Sequence, residues 1–335
     1  LDKKNYQNLE SHYAKAYDVH TQMDVYAPAK YLVQGETDKI AIAIHKNENP
    51  FLKQNMRFRT VYNDQLLPVF SRTNDSIIIE LPNNLPTNKP VEIGVEYESA
   101  VDSIMYTVGV IMVYVNAPIL KTVHVITVNN ASPSQSAIET AIENIYDPVG
   151  VEFNVNMITN MTFTSGLPTE IEIESSGLLS KYPEDLRDYV GDIRDLPTYS
   201  DDEYYVVIGL NSTIDGYMPR AKNIGFVFSS VDAEIAKILP HELGHGAFHL
   251  KHLFDEDELG GASGGTTENL MDYCTNPHDL YLHQWLYINN PASVGWFEGD
   301  DEDGSSLGPV SLVRMDSPYR NPSDRIICFL APTNK

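Results

Sequence analysis

The chain has 335 residues, of which 42% are apolar, so it is long enough for two packed cores of ordinary domain size. Its formal charge of −24 comes from 47 acidic and 23 basic residues, without any cluster of Lys and Arg. This charge argues against nucleic acid as a partner, because phosphate contacts need a cationic face. The longest apolar stretch, 105–115, is shorter than the roughly 20 residues of a membrane helix, so no membrane span is predicted.

The two cysteines, Cys274 and Cys328, allow at most one intramolecular disulfide, which excludes a cysteine-rich scaffold and a four-thiolate zinc site. We expect Cys274 to be a small packed side chain or to pair with Cys328, rather than to be a reactive thiol. The chain begins at Leu1, without an initiator methionine or a charged-then-apolar signal segment. We therefore expect a mature form or a part of something longer.

The first third of the chain has the composition of a strand-rich module. Its β-rich runs are 40–44, 76–80, 91–97 and 106–115. The runs alternate in part between apolar and polar residues, turn residues separate them, and no helical periodicity of useful length interrupts them. This pattern predicts an all-β, sandwich-like (Ig-like) module over 1–118.

Beyond this module the pattern changes to mixed α and β. The predicted strands are 122–128, 151–155, 204–210 and 224–228. Ser132 and the Pro133 that follows it predict the start of a helix, with an apolar face that repeats at helical spacing over 137–145. We therefore predict an α+β domain over 119–292, with a mixed sheet and helices packed on it. Residues 293–335 are acidic and rich in Gly and Pro, which predicts a linker or the start of a further module.

The residues from His241 to His245 form the pattern H-E-x-x-H. Residues i and i+4 stand on one helix face with Cβ atoms roughly 5 to 6 Å apart, so both imidazoles can bind one Zn²⁺ at about 2.0 to 2.1 Å. Glu242 lies beside the first histidine and not among the ligands, so it can accept a proton from water that the metal activates. Six of the ten histidines lie between His241 and His283, which favours a metal site over a chance match.

The spacing leaves open the third ligand and the start of the helix. His249 lies four residues beyond His245 and suits a helix that continues, whereas His252 suits a chain that leaves the helix and turns back to the metal. Pro240 stands directly before the first ligand. It predicts that a helix from about Asp232 is kinked, or that the helix starts at Pro240.

The zinc motif, together with Asn-Leu-Met-Asp-Tyr at 269–273, resembles a metzincin zinc peptidase. The resemblance covers roughly 121–290 and extends to bacterial proteins of the form HELGHGAF…NLMDY…QW, whose final pair is Gln-Trp at 284–285 here. It implies that Met271 is the methionine of the family's Met-turn, beneath the metal. It also implies that Tyr273 lies beside the zinc, where its phenol can donate to a developing oxyanion.

The chain departs from the metzincin pattern by one inserted residue. The pattern H-E-x-x-H-x-x-G-x-x-H would place glycine at Phe248 and the third histidine at Lys251. With the insertion, His249 takes the turn position, where histidine tolerates positive φ better than most residues. The resemblance then implies that His252 is the third zinc ligand.

Other acidic and histidine residues have simpler interpretations. The acidic runs 255–258 and 300–304 suggest Ca²⁺, but the second run lacks the first Asp and the last Glu of an EF-hand loop. We expect solvated loops in both places. His278 and His283 are expected to be structural or exposed, because three histidines already complete the zinc site.

These observations predict a secreted or cell-surface zinc metallopeptidase that acts on a protein or peptide substrate. His241, His245 and His252 would hold the zinc, Glu242 would be the general base, and Tyr273 would help to stabilise the oxyanion. One alternative is a narrow-specificity peptidase toxin or effector delivered to another cell, which would share every site residue. The other is a catalytically silent zincin-fold binding protein, which would have no use for a base beside the ligands.

Overall fold

A computed structural model describes most of the chain, which divides into two compact units, 1–117 with 303–335 and 118–302. The described residues are 13, 15–18, 23–43, 55–73, 76–87, 89–98, 103–159, 161–167, 170–171, 182–253, 265, 267–273, 277, 279–291, 313–315 and 330–331. None of the helices in these ranges has the length and apolar character needed to cross a membrane.

The described part of the chain contains strands in both units, and the four α-helices whose full extent is described all lie in the second unit. The strands are β1 (Lys15–Asp18), β2 (Met23–Tyr26), β3 (Ala29–Val33), β4 (Asp38–Ala43), β5 (Met56–Thr60), β6 (Val69–Arg72), β7 (Ser76–Leu81), β8 (Val91–Glu98), β9 (Met105–Asn116), β10 (Ile119–Thr127), β11 (Val151–Thr159), β12 (Tyr204–Ile208), β13 (Gly216–Tyr217), β14 (Ile224–Val227), β15 (Val313–Met315) and β16 (Leu330–Ala331). The α-helices are α1 (Gln135–Tyr146), α2 (Glu184–Arg194), α3 (Asp232–Phe248) and α4 (Leu282–Asn289).

The first unit contains two four-stranded sheets whose buried residues form one apolar core. Their strand orders are β16-β4-β7-β6 and β3-β9-β8-β5, and only β3 and β9 pair in parallel. Alternation along the strands fills this core: Ile77, Ile79 and Leu81 of β7 are fully buried, and the residues between them are not. A third sheet has the order β15-β1-β2. An immunoglobulin-like topology for this unit stays a prediction.

The second unit is built on a five-stranded sheet in the order β11-β10-β12-β14-β13. Its first four strands are parallel, and the two-residue β13 runs antiparallel to β14 at one edge. Helix α1 connects the parallel neighbours β10 and β11, which need a long connection, and α2 lies in the crossover from β11 over β10 to β12. The protein is therefore mixed α and β, with several sheets and few helices.

Apolar side chains cover both faces of the second unit's sheet. In β12, Val206 and Ile208 pack in a cluster with α1 and α3, whereas Tyr205 and Val207 pack in a cluster with α2. All four are fully buried, and complete burial of a Val or Ile side chain contributes about 1.5 to 3 kcal/mol. A strand buried on both faces becomes a continuous apolar run, as is usual in parallel sheets. This packing holds α3 firmly against the sheet.

One helix start differs from the sequence prediction, and a second decides between two predicted alternatives. Helix α1 is capped by Ser134, whose Oγ accepts a hydrogen bond from the N–H of Ala137 (3.4 Å), so the predicted cap at Ser132 was two residues early. Helix α3 begins before Pro240 and runs through it, so the helix does not start at the proline. Proline has no N–H, so the carbonyl of Ala236, four residues earlier, loses its usual helical partner. The Tyr146 hydroxyl donates a hydrogen bond to the Pro240 carbonyl (2.7 Å) from outside the helix.

Candidate metal centre

Helix α3 carries two of the three predicted ligands, and the turn after it returns the third. His241 and His245 lie one helical turn apart, and both are buried. At the end of α3, His249 adopts the left-handed conformation, with φ 60° and ψ 20°, and its N–H contacts the carbonyls of Gly244 and His245. The chain then reverses and brings His252 to the other two histidines. His249 thus lies at the turn, outside the cluster, which is the arrangement that the inserted residue predicts.

The Nε2 atoms of the three histidines face one another at closely similar distances. They lie 3.2 Å apart between His241 and His245, 3.2 Å between His241 and His252, and 3.1 Å between His245 and His252. Two nitrogen ligands at about 2.0 to 2.1 Å from a tetrahedral zinc would lie roughly 3.3 to 3.4 Å apart. The three nitrogens therefore fit three corners of a zinc tetrahedron and leave the fourth corner for a further ligand.

Backbone carbonyls fix the orientation of two of these rings. Nδ1 of His241 donates to the Leu270 carbonyl (2.7 Å), and Nδ1 of His245 donates to the Leu250 carbonyl (2.7 Å). Burial, and then the neighbouring His252, lowers the pKa of His241 to about 4, and burial also lowers the pKa of His245. Both rings are therefore neutral, with the Nε2 lone pair directed into the cluster. Such lone pairs repel one another unless a cation lies between them, so the donor set fits a metal ion.

Glu242 lies against the edge strand β13 and not among the three histidines. Its side chain is only 5% exposed, and a Cβ atom added to Gly216 would lie 2.5 Å from its Oε1. Burial raises the pKa of Glu242 to about 8, a backbone hydrogen bond from Met218 lowers it, and Asp215 raises it. A carboxyl group with a pKa near neutrality can both accept and return a proton at working pH.

The 267–273 segment contacts both α3 and the chain that returns after it. The Leu270 carbonyl accepts the hydrogen bond from the first histidine, and the Met271 carbonyl accepts one from the N–H of Leu253, the residue after the third. The Met271 side chain packs directly on α3, since a Cβ atom at Gly244 would lie 2.7 Å from its sulfur. The segment therefore supports the helix and the returning chain at the same time.

Asp272 holds this segment in shape through four hydrogen bonds. Its carboxylate accepts from the backbone N–H groups of Gly265 (2.5 Å), Thr267 (2.8 Å) and Tyr273 (2.8 Å), and from the Thr267 hydroxyl (2.8 Å). Burial alone would raise the pKa of Asp272, but these bonds outweigh it, and the pKa is lowered. The charged carboxylate is therefore a structural anchor beneath the cluster.

Tyr273 lies at the surface beside the histidines. The residue is 63% exposed, and its ring centroid is 5.9 Å from that of His241 and 5.0 Å from that of His252. The exposed ring therefore lies at the solvent boundary of the cluster, next to the first and third histidines.

The structure also gives roles to residues that the sequence interpretation left without one. They are Gly216, Asn269, Asp272 and Gln284. Asn269 and Asp272 belong to the Asn-Leu-Met-Asp-Tyr motif, and Gln284 belongs to the Gln-Trp pair. The motif therefore marked these residues in the sequence, but it did not indicate which contacts they make. Gly216 had no sequence signal, because its importance depends on how closely Glu242 approaches it.

The remaining predicted residues lie away from the cluster or cannot be placed. His283 is buried, and its ring packs between Tyr281 and Tyr287, with centroids 6.1 Å and 5.8 Å away. This is a structural histidine, as expected. Cys274, Cys328, His278 and the acidic runs 255–258 and 300–304, with the suggested Ca²⁺ sites, lie outside the described residues.

Comparison with known proteins gives little beyond this geometry. No protein-family model matches the chain, and no curated protein sequence matches it significantly. Among solved structures, an archaemetzincin from Methanopyrus kandleri is 12% identical, with a TM-score of 0.28 over 51% of this chain and 87% of its own. A 2,6-sialyltransferase from Photobacterium sp. JT-ISH-224 is 11% identical, with a TM-score of 0.22 over 56% of this chain and 35% of its own. At TM-scores this low, neither likeness carries an argument about function.

Proposed function

We propose that the second unit is a zinc-dependent endopeptidase of the metzincin type, in which His241, His245 and His252 hold the ion. The observation that carries the proposal is the triangle of Nε2 atoms, 3.1 to 3.2 Å apart, with a buried carboxylate on the neighbouring residue. When bound, zinc supplies Lewis-acid chemistry, which polarises a peptide carbonyl and activates water. The donor set of three neutral imidazoles is the kind that catalytic zinc prefers.

Glu242 is the general base of the proposed reaction. Its carboxylate accepts a proton from the attacking water and then delivers it to the leaving nitrogen of the peptide bond. Burial makes the carboxylate basic, and the Met218 N–H holds it in place against β13. A purely structural zinc site would not need a buried carboxylate at this position.

Tyr273 and the open side of the cluster suit a protein or peptide substrate. The ring of Tyr273 is exposed beside His241 and His252, so a chain bound over the cluster would touch it. Its hydroxyl then donates to the oxyanion that forms when the carbonyl is attacked. We infer an auxiliary role, because Glu242 performs the proton transfers without it.

Replacing Glu242 with glutamine tests the proposal. The Glu242→Gln protein should stay folded and keep about one equivalent of zinc, since the residue is not a ligand. Its kcat should fall at least about 100-fold, the usual scale for a general base. The matched control is Glu143→Gln, which makes the same change at an exposed position on α1 and should cleave like the wild type. Elemental analysis, circular dichroism and cleavage of a peptide library measure the three properties.

Three results would contradict the proposal in different ways. Well under half an equivalent of zinc in the wild-type chain, after expression with ample metal, would remove the metal site. Zinc-loaded wild-type protein that cleaves no peptide in the library would instead indicate a binding protein. Equal turnover by Glu242→Gln and the wild type would show that another residue is the base.

A further inference from the structure

Asn269 and Gln284 form a buried amide pair that joins the 267–273 segment to α4. Both side chains are fully buried. The Asn269 amide donates to Oε1 of Gln284 (2.8 Å), and the Gln284 amide donates back to Oδ1 of Asn269 (3.1 Å). Oε1 of Gln284 also accepts from the N–H of Tyr281 (2.8 Å), the N-cap of α4. The reciprocal bonds fix how both amides are turned.

The same pair holds the peptide group that orients a proposed ligand. Oδ1 of Asn269 accepts a hydrogen bond from the N–H of Met271 (2.9 Å). That N–H and the Leu270 carbonyl belong to one planar, trans peptide group, so they point in opposite directions. The carbonyl end accepts the bond from Nδ1 of His241 (2.7 Å). Any rotation of this peptide would therefore break its bond to Asn269 and its bond to His241 together.

Stability alone does not account for a fully buried amide pair. A buried amide loses its hydrogen bonds to water, and replacing two bonded partners with apolar groups of the same shape is often nearly neutral for stability. The 267–273 segment already has a separate anchor in Asp272, with four hydrogen bonds. Besides capping α4 at Tyr281, the amide pair controls the peptide plane that faces His241.

We propose that Gln284, acting through Asn269, is a positioning residue that orients the His241 ring and thereby sets the zinc affinity of the site. The inference rests on the proposed zinc site. Groups that orient metal ligands without touching the metal are typically worth 10- to 100-fold in affinity. Gln284 lies on α4, so an element that supplies no ligand would control the metal site.

The experiment compares zinc affinity with stability in the full chain. Gln284→Met removes the amide and keeps a side chain of similar length, whereas Gln284→Asn keeps an amide one carbon too short. Competition against a chelator should show a zinc dissociation constant raised about 10- to 100-fold in both variants, with the zinc-free proteins still folded by circular dichroism. Absorption spectra of the Co²⁺ forms should differ from the wild-type spectrum, because the geometry at His241 has changed.

Tyr182→Phe is the matched control for general destabilisation. It removes a buried hydrogen bond in the same unit, from the Tyr182 hydroxyl to the Ile224 carbonyl (2.8 Å), in a different apolar cluster from the one that α4 joins. Its free energy of unfolding should fall, and its zinc affinity should stay within about twofold of the wild type, as expected for an ordinary buried hydrogen bond.

Each other outcome has a definite meaning. Equal zinc affinity in the wild type and both Gln284 variants would overturn the inference while leaving the zinc site intact. The inference would also fail if Tyr182→Phe weakened zinc binding as much, or if both Gln284 variants were unfolded without zinc, because the pair would then act on the fold. A wild-type chain that binds no zinc would refute the proposed function and this inference together.

Discussion

Replacing Gly216 with alanine tests how closely the position of the Glu242 carboxylate is controlled. The new Cβ atom would lie 2.5 Å from Oε1 and 2.9 Å from Cδ of Glu242, and 2.6 Å from Cγ2 of Ile238. Non-bonded carbon atoms prefer separations of about 3.5 to 4.0 Å, so the carboxylate must move by about 1 Å. It cannot move freely, because Glu242 is buried and Ile238 belongs to the packed face of the same helix.

The expected loss is mainly in catalysis. A misplacement of about 1 Å at a reacting group costs on the order of 100-fold in rate, which is about 2.7 kcal/mol in the barrier. Overpacking a buried site also lowers the free energy of unfolding, typically by about 1 to 3 kcal/mol. Zinc content should stay near one equivalent, because Gly216 contacts the base and not the three histidines.

Steady-state cleavage of a short peptide, together with elemental analysis, measures these effects. Gly191→Ala is the control, because its new Cβ atom, on α2 in the same unit, would meet nothing within 4 Å. It should cleave like the wild type. If Gly216→Ala kept its kcat within about threefold of the wild type while staying folded, then the carboxylate position would not limit the reaction, and the reasoning from this contact would be wrong.

Two further predictions concern the helix and the turn after it. His252→Ala should weaken zinc binding by more than about 100-fold, because even groups outside the coordination shell are worth 10- to 100-fold in affinity. The zinc affinity of His249→Gly should stay within about threefold of the wild type. If chelator competition gave the opposite ranking, His249 and not His252 would be the third ligand. Tyr146→Phe removes the hydrogen bond to the Pro240 carbonyl and should lower the free energy of urea unfolding by about 1 to 3 kcal/mol. Unchanged stability would mean that this carbonyl finds another donor.

The parts of the site that depend on local spacing could be predicted from the sequence. His241 and His245 lie on one face of α3 because residues four apart do so in any helix. The turn at His249 was not fixed by the spacing; it came from the metzincin pattern with one inserted residue, and it places at positive φ a residue type that tolerates this conformation. The strand and helix mixture of the second unit was also predictable, because apolar periodicity differs between the two elements.

Tertiary contacts decide the parts that the sequence did not reveal. Both Ser132 and Ser134 can cap a helix, and the N–H of Ser134 lies 3.3 Å from Oδ1 of Asp232, a residue of α3 far along the chain. Glycine is needed at position 216 because the Glu242 carboxylate lies so close to it at the edge of the sheet that a Cβ atom would not fit. Neither contact produces a repeating pattern of apolar and polar residues that could be recognised in the sequence. The same holds for the amide pair, whose partners belong to different elements.

The second half of α3 is a poor helix by composition. It contains Pro240, Gly244 and Gly246, and relative to alanine these cost about 3, 1 and 1 kcal/mol in a helix interior, or roughly 5 kcal/mol together. The two glycines have a packing reason. A Cβ atom at Gly246 would lie 2.6 Å from the Lys222 carbonyl, and one at Gly244 would press on the Met271 sulfur.

The helical state of this stretch therefore depends on its neighbours. A short segment with such a deficit does not hold a helix by itself in water, and the packed sheet, the Tyr146 bond and the Met271 contact must supply the difference. In the unfolded chain, the H-E-x-x-H spacing therefore does not by itself hold the two histidines on one side of a helix, as binding to one metal ion would require. The histidines come into line only as the surrounding unit assembles, so the proposed metal site would form together with the fold of this unit and not before it.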